Sequence, residues 1–534
     1  MSSPLFGRDE AKANIVIEEE PITGDTISLL SDQRDEETNT SVEEPVEKNE
    51  NNEGNNESDI NRPLFDLQIF EAKPLNDLPS PILQFPPEII NHIFYLTLSH
   101  FSIFPFHTGD YHSLFEKDET TPFILGAVCR HWRAVTWSTP ILWSSMLVRF
   151  FAFDNNKSTL VKAWLSRSGQ HPLSIRIFFR PIRSTAEADF RFFAEIINQY
   201  SSRWRHFDLS VPPKFSKFFK PEGSHAPILE SLRLEFPRRR NTWFRCLVTC
   251  PRLQKVHLAF VRLKGIRFPW NNVTHLCAQA MTFEDCFNIL RKAPLLVHAE
   301  FIDIEEPRLH TSGSIIIASL KSLKVVGRNA TSFFPHITCP LLDELICDAQ
   351  QAHLSANDII PFLARSGPLR NFLILNCPYL NESRVLPAMS FLKILVFSHS
   401  KIGVNILKVL GMIYSSQSNS FEPRFLPHLE TFDFTGPLGP ESFAVDLPMI
   451  ISRDPTHPLP PDDAEQGPLR SITLKICPAV YLPENAIQFF LGLMDRGVTV
   501  NVSSNSEDIL QSSIEYYNSH RVDTSHLSLM QDVF

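Results

Sequence analysis

The chain has 534 residues, 43% apolar and 21% charged, enough for several packed domains or one long repeat array. Its net charge of −10 sits at one end: residues 1–62 hold 17 acids against 5 bases, or −12, which leaves +2 for the rest. A near-neutral body lacks the positive field that non-specific nucleic-acid binding needs, and no uncharged apolar run is long enough to span a membrane.

In chain order, residues 1–62 are rich in Glu, Asn, Ser and Asp. Such a segment cannot offset its ordering entropy, so it is expected to be a disordered acidic tail. Ser28, Ser31, Ser41 and Ser58 are candidate phosphorylation sites there, or plain solvating residues. No apolar signal-peptide core opens the chain. Nine cysteines, an odd number with no CxxC pair, speak against a complete disulfide framework and a structural zinc site. They fit a reducing compartment, cytoplasm or nucleus.

Residues 83–145 carry three helical signals. A helix is predicted from Pro86–Pro87, because proline is at home in a first turn, and Ile89, Ile90, Ile93, Phe94 and Leu96 form its apolar stripe. An insertion at 97–121, with Pro105 and Gly109, reads as a loop. Pro122 opens a second helix with Leu125, Val128, Trp132 and Val135 on one face, and Pro140 a short third element with Leu142 and Trp143.

From 146 to 505 a repeat takes over, written apolar-x-x-apolar-x-apolar. It runs from Trp204/Phe207/Leu209 through Leu232, Leu345 and Phe372 to Leu469/Ile472/Leu474, eleven units in all. Eight of the ten intervals between unit starts lie between 20 and 27 residues, near the leucine-rich-repeat period of about 20–29. Proline often precedes the strand, as in Cys250-Pro251 and Cys339-Pro340, and is expected to end a helix and set the chain extended. Helical patterns fall between strands at Trp243–Val248, Thr282–Leu290, Ala356–Leu363, Val404–Ile413 and Ala486–Met494. A strand and a helix per unit can share a core only by stacking. Pro-rich insertions such as Asp454–Pro468 lengthen the last intervals, and 506–534 reads as a C-terminal tail.

The segment Phe85-Pro86-Pro87-Glu88-Ile89-Ile90, followed by Leu125, Val128, Cys129 and Trp132 and then by Leu142 and Trp143, resembles an F-box, with Phe85 where the family usually has Leu. Together with the repeats it is similar to F-box-like proteins with degenerate leucine-rich repeats of fungal type. The resemblance implies an α/β chain: an N-terminal three-helix F-box, then an irregular leucine-rich-repeat solenoid with a curved parallel sheet. The Asn that regular repeats carry after the strand is mostly absent, Asn376 being the nearest case. The resemblance also implies a substrate-recognition subunit of an SCF-type ubiquitin ligase, with a Skp-family adaptor, and through it a cullin, as partner. Pro86, Pro87, Ile89, Ile90, Ile93, Val128, Trp132 and Trp143 would be the adaptor contacts. The alternatives are that these residues only pack their own helices, and that the chain is a repeat scaffold outside any ligase.

Strand residues alternate sides, so those between the apolar positions should line the open face of the sheet. Early units offer Arg233, Lys255, His257, His275, His298, Glu300 and Lys324; later ones offer Ile346, Leu373, Leu375, Ile394 and Val396. An apolar cluster on a face that should meet water is a candidate target-binding site, unless a loop covers it or the sheet is buried on both sides. His275 and His298 fall side by side without a third ligand, so no metal is expected, and Arg238–Arg240 reads as a solvated basic turn. No catalytic motif, phosphate loop or zinc helix is present. The expectation is a non-enzyme without cofactor, nucleic acid or membrane, binding an unknown target protein.

Overall fold

The computed structural model describes residues 81–97, 122–150, 155–179, 187–220, 223, 225–236, 249–265, 269–305, 314–350, 352–377, 380, 382–398, 426–437, 469–477, 481–495, 497–505 and 507–528. The acidic tail, the insertion from residue 98 on, the helices expected at Trp243–Val248 and Val404–Ile413, Arg238–Arg240, and Asp454–Pro468 lie outside them. By its contacts the chain divides into Met1–Ile90 and Asn91–Phe534. The first contributes a 3-10 turn, Pro81–Gln84, and the start of helix α1, Pro87–Thr97.

The fold is α/β, built on one 15-stranded sheet whose strands lie side by side in chain order. They are β1 (Ser145–Phe150), β2 (Leu173–Phe179), β3 (Trp204–Ser210), β4 (Ser231–Glu235), β5 (Lys255–Ala259), β6 (His275–Gln279) and β7 (His298–Ile302). After them come β8 (Ser322–Val326), β9 (Glu344–Asp348), β10 (Asn371–Leu375), β11 (Ile394–Ser398), β12 (Thr431–Gly436), β13 (Ser471–Ile476), β14 (Thr499–Ser504) and β15 (Glu507–Asp508). Neighbours are parallel up to β14, and only β15 turns back antiparallel. A residue two-thirds along the repeat always meets its equivalent: Leu323 pairs with Leu345, Leu345 with Phe372, and Phe372 with Leu395. Leu232, Leu345 and Ile472 are fully buried on this face.

Strand exits and entries repeat as strictly. After β5, β6, β7 and β10 one residue takes a left-handed conformation: Phe260 (φ 59°), Ala280 (φ 48°), Asp303 (φ 49°) and Asn376 (φ 49°). Its N–H then donates to the last carbonyl of the next strand, as Ala280 does to Ile302 at 2.8 Å and Asp303 to Val326 at 2.8 Å. At strand entries proline has a role besides the one expected. The carbonyl before it accepts from the leucine three residues on, Cys250 from Leu253 and Cys339 from Leu342, both at 3.1 Å. Proline is thus second residue of a β-turn, for which its fixed φ is suited.

The helices, among them α4 (Asn155–Arg167) and α5 (Glu187–Asn198), cover the buried face. In α6, Phe283–Lys292, the Thr282 hydroxyl accepts from Asp285 N at 3.2 Å. Acids fill its first turn and Arg291 and Lys292 its last, as the helix dipole favours. Helices α7 (Ala356–Arg365) and α8 (Glu484–Met494) stand where the apolar spacing places them. Strands β1, β2 and β14 were not expected as units. Trp143, Met146 and Val148 do satisfy the repeat pattern, but Trp143 was assigned to the helical segment. The expected C-terminal tail is also corrected: β15 and a 20-residue helix, α9 (Ile509–Ser528), close the sheet. The start of α9 is buried through Ile509, Leu510 and Ser513.

Gly327 holds the left-handed position after β8, at φ +122°, where a Cβ would lie 3.1–3.2 Å from Asp303. Gly327→Ala should cost about 1–2 kcal/mol and lower the urea midpoint.

Candidate interaction surfaces

The N-terminal helices are short. Helix α1 begins with Ile89 N and Ile90 N donating to Pro86 O at 3.0 and 3.2 Å. Helices α2 (Pro122–Val128) and α3 (Arg130–Ser138) meet at Cys129, whose thiol accepts from Trp132 N at 3.4 Å. Gly126 fits because any Cβ there would collide with the Trp137 ring. Thr139 Oγ1 bridges α1 and α3, donating to Val135 O at 2.7 Å or Asn91 Oδ1 at 2.6 Å.

The adaptor residues named from sequence divide by burial. Ile89 is 48% exposed and Val128 59% exposed. Pro86 and Pro87 are exposed, while Ile93 and Trp132 are half-buried. Trp132 packs on Phe94 with ring centroids 4.7 Å apart. Ile90 and Trp143 are fully buried, so as contact residues both are corrected to core residues. Trp143 joins the helices to the first unit of the sheet. Its ring lies 5.3 Å from Phe123, Trp137 and Trp164. Its Nε1 donates to Thr136 O and its carbonyl accepts from Trp164 Nε1, both at 2.9 Å. Leu96, a member of the expected apolar stripe, and Ile124 and Ile141, which the sequence reading does not name, are also exposed; they are the leftovers of helices too small to bury every apolar side chain.

The other face of the sheet carries one continuous row. From Arg176 on β2 it passes to Asp208, Arg233, His257, Cys277, Glu300 and Lys324, each paired in register with the next. Ile346, Leu373, Val396 and Asp433 continue it. Its first part is closed: Arg176, Asp208, Arg233, His257 and Cys277 are all buried. Arg233 and His257, expected on an open face, are therefore interior residues, because the first strands are buried on both sides. Charge there is balanced locally. Arg176 Nε is 2.9 Å from Asp208 Oδ2, Arg233 Nε 3.7 Å from Asp208 Oδ1, and an Arg233 guanidinium nitrogen 3.3 Å from Glu235. Burial pushes the Asp208 carboxyl up to about 7 against the pull of Arg176. It also pulls the Arg233 guanidinium down and holds His257 well below the imidazole range.

The row opens further on. Glu300 and Lys324 pair at 2.6 Å and are part-exposed. Ile346, Leu373, Leu375, Ile394 and Val396 are all part-exposed, and the register brings them together on β9, β10 and β11. These expected target-binding residues thus lie side by side on adjacent strands. Glu344, Asp348 and Asp433 border them; the alternation that found the apolar members also places these acids on the same face.

His275 and His298 stack with ring centroids 4.6 Å apart. Burial, then His298 and Lys255, lower the His275 pKa to about 4. Burial pushes the thiols of Cys250 and Cys339 up to about 12 and those of Cys277 and Cys286 well up, so these four stay protonated and unreactive at neutral pH. Among the described residues no cluster of three or more His, Cys, Asp or Glu could hold a metal, and no helix is long and apolar enough to cross a membrane.

Asp208→Ala leaves two buried guanidiniums without the carboxylate between them and should cost about 3–5 kcal/mol, read as a fall in urea midpoint. For His275, the folded state binds fewer protons than the unfolded chain between about pH 4 and the ordinary imidazole value near 6.5. Stability should therefore be full above that window and fall as pH drops through it. His275→Phe keeps the stacking and should flatten the loss in thermal unfolding measured across that range.

No protein-family model matches the chain, and no curated protein matches it, so function is read from the residues and their geometry.

Proposed function

We propose that the chain is the substrate-recognition subunit of an SCF-type ubiquitin ligase. In this reading the N-terminal helices are an F-box-like module and the sheet is an irregular leucine-rich-repeat array. The observation that carries it is the exposure of Ile89 and Val128 on short helices that precede a parallel sheet built of repeats. Apolar side chains left outside a small helical unit are suited to a groove in a partner, the helix-in-groove mode of recognition. A Skp-family adaptor is the partner that the sequence resemblance implies, with Pro86, Pro87, Ile89, Ile93, Val128 and Trp132 as contacts.

A target protein held on Ile346, Leu373, Leu375, Ile394 and Val396 would then stand near the conjugating enzyme that the cullin recruits. Transfer is favoured by effective concentration, and no residue of this chain takes part in bond making.

Ile89→Lys puts a charge on an exposed position that the fold does not use. It should weaken adaptor capture by about 2–4 kcal/mol in a pull-down with a Skp-family adaptor. Equal recovery by both proteins would remove this docking surface, and no recovery by either would leave a repeat scaffold outside the ligase. Leu373→Asp should abolish capture of the cellular target while adaptor capture persists.

A further inference from the structure

Resting on the reading of the β9–β11 patch as the cargo surface, we propose that its occupant is an extended peptide segment with apolar anchors flanked by lysine or arginine. The apolar strip Ile346–Leu373–Val396 crosses three adjacent strands. At a strand spacing of about 4.8 Å it is roughly 10 Å long, the reach of about three extended residues. Ile394 and Leu375 widen it on either side.

The rim decides the chemistry. Glu344 lies two residues before Ile346 on β9, Asp348 two residues after it, and Asp433 is the partner of Val396 on β12. Glu344 accepts from the Ser322 hydroxyl at 2.6 Å. Asp348 accepts from Asn376 Nδ2 at 3.0 Å and Gln350 N at 3.2 Å. Those donors are neutral, and none of the three acids has a cationic partner among the described residues. The nearby cations are already engaged: Lys324 with Glu300, Arg370 with Asp343, and Lys393 with Glu430. Lys475 stands on β13, two residues past Thr473, the partner of Asp433, and makes no ion pair among the described residues. Among the described residues the patch thus presents three acids without an ion-paired cation around an apolar centre. It repels nucleic acid and anionic lipid, and it complements a peptide whose apolar residues sit between basic ones.

The test uses the full-length protein and two fluorescent peptide pools read by anisotropy. Both pools carry a central pair drawn from Leu, Ile, Val and Phe; one is flanked by Lys and Arg, the other by Asp and Glu. The basic pool should bind at least about tenfold more tightly, with affinity falling as salt rises. Glu344→Lys with Asp433→Lys should reverse the preference. Glu195→Lys with Glu515→Lys makes the same change in net charge on two exposed helical positions away from the patch, and should leave binding within about twofold. Leu373→Asp should remove binding of the basic pool; Leu373→Ser, gentler on folding, should weaken it. Equal binding of the pools, no binding of either, or the same loss in the remote charge variant would overturn the proposal. Adaptor capture by the same preparation reports separately on the ligase reading. Captured adaptor with indifferent pools defeats only the cargo chemistry, and lost adaptor capture with selective pools defeats only the ligase role.

Discussion

In-register stacking of buried side chains such as Leu323, Leu345 and Phe372 is the contact on which the remaining architecture depends. A five-residue strand with one helix or turn behind it has no second layer of its own. Each unit covers the apolar edge of its neighbour, and the alternate residues are thereby fixed in rows on the opposite face. Cavities in this stack are costly, about 2–5 kcal/mol for a truncated leucine. The left-handed residue after several strands follows from the same constraint. The backbone must leave the sheet while its N–H still reaches the carbonyl one strand along, and Phe260 and Ala280 accept an unfavourable conformation to do so.

The opposite face shows how one row can serve two purposes. Near the helices its members are buried charged groups, Arg176, Asp208 and Arg233, which with Glu235 beside the row balance in a short chain of contacts. Such a row contributes little net stability compared with apolar packing, yet removing one member is expensive. The same row becomes part-exposed at Glu300 and turns apolar past Lys324. The second change happens across one strand pair, Lys324 to Ile346, with no break in register.

Much of this architecture was legible in the sequence. The spacing of Leu232, Leu345 and Ile472 identified strands because a buried face leaves a periodic trace in composition, and the same spacing put Leu373 beside Ile346 and Val396. Burial on the other face left no such trace. Asp208, Arg233 and His257 look like surface residues one at a time, and only their mutual pairing makes them interior. Trp143 was ambiguous for a related reason: it belongs at once to the last helical turn and to the first strand unit, and a one-dimensional pattern assigns a residue to one element. Ile90 and Ile89 show the limit in miniature. Adjacent and chemically identical, they differ in exposure because a helix turns by about 100° per residue, and which of the two faces inward is decided by tertiary packing.

A parallel stack has, in principle, no natural end: its last strand offers a row of free amides and carbonyls to whatever comes next. Here β14 meets a strand only two residues long, running the opposite way and bearing two exposed carboxylates, Glu507 and Asp508. So short and so charged a border is a poor template for an incoming strand. Across Ser503 and Ser504, growth from that side into fibres of identical molecules is thereby discouraged.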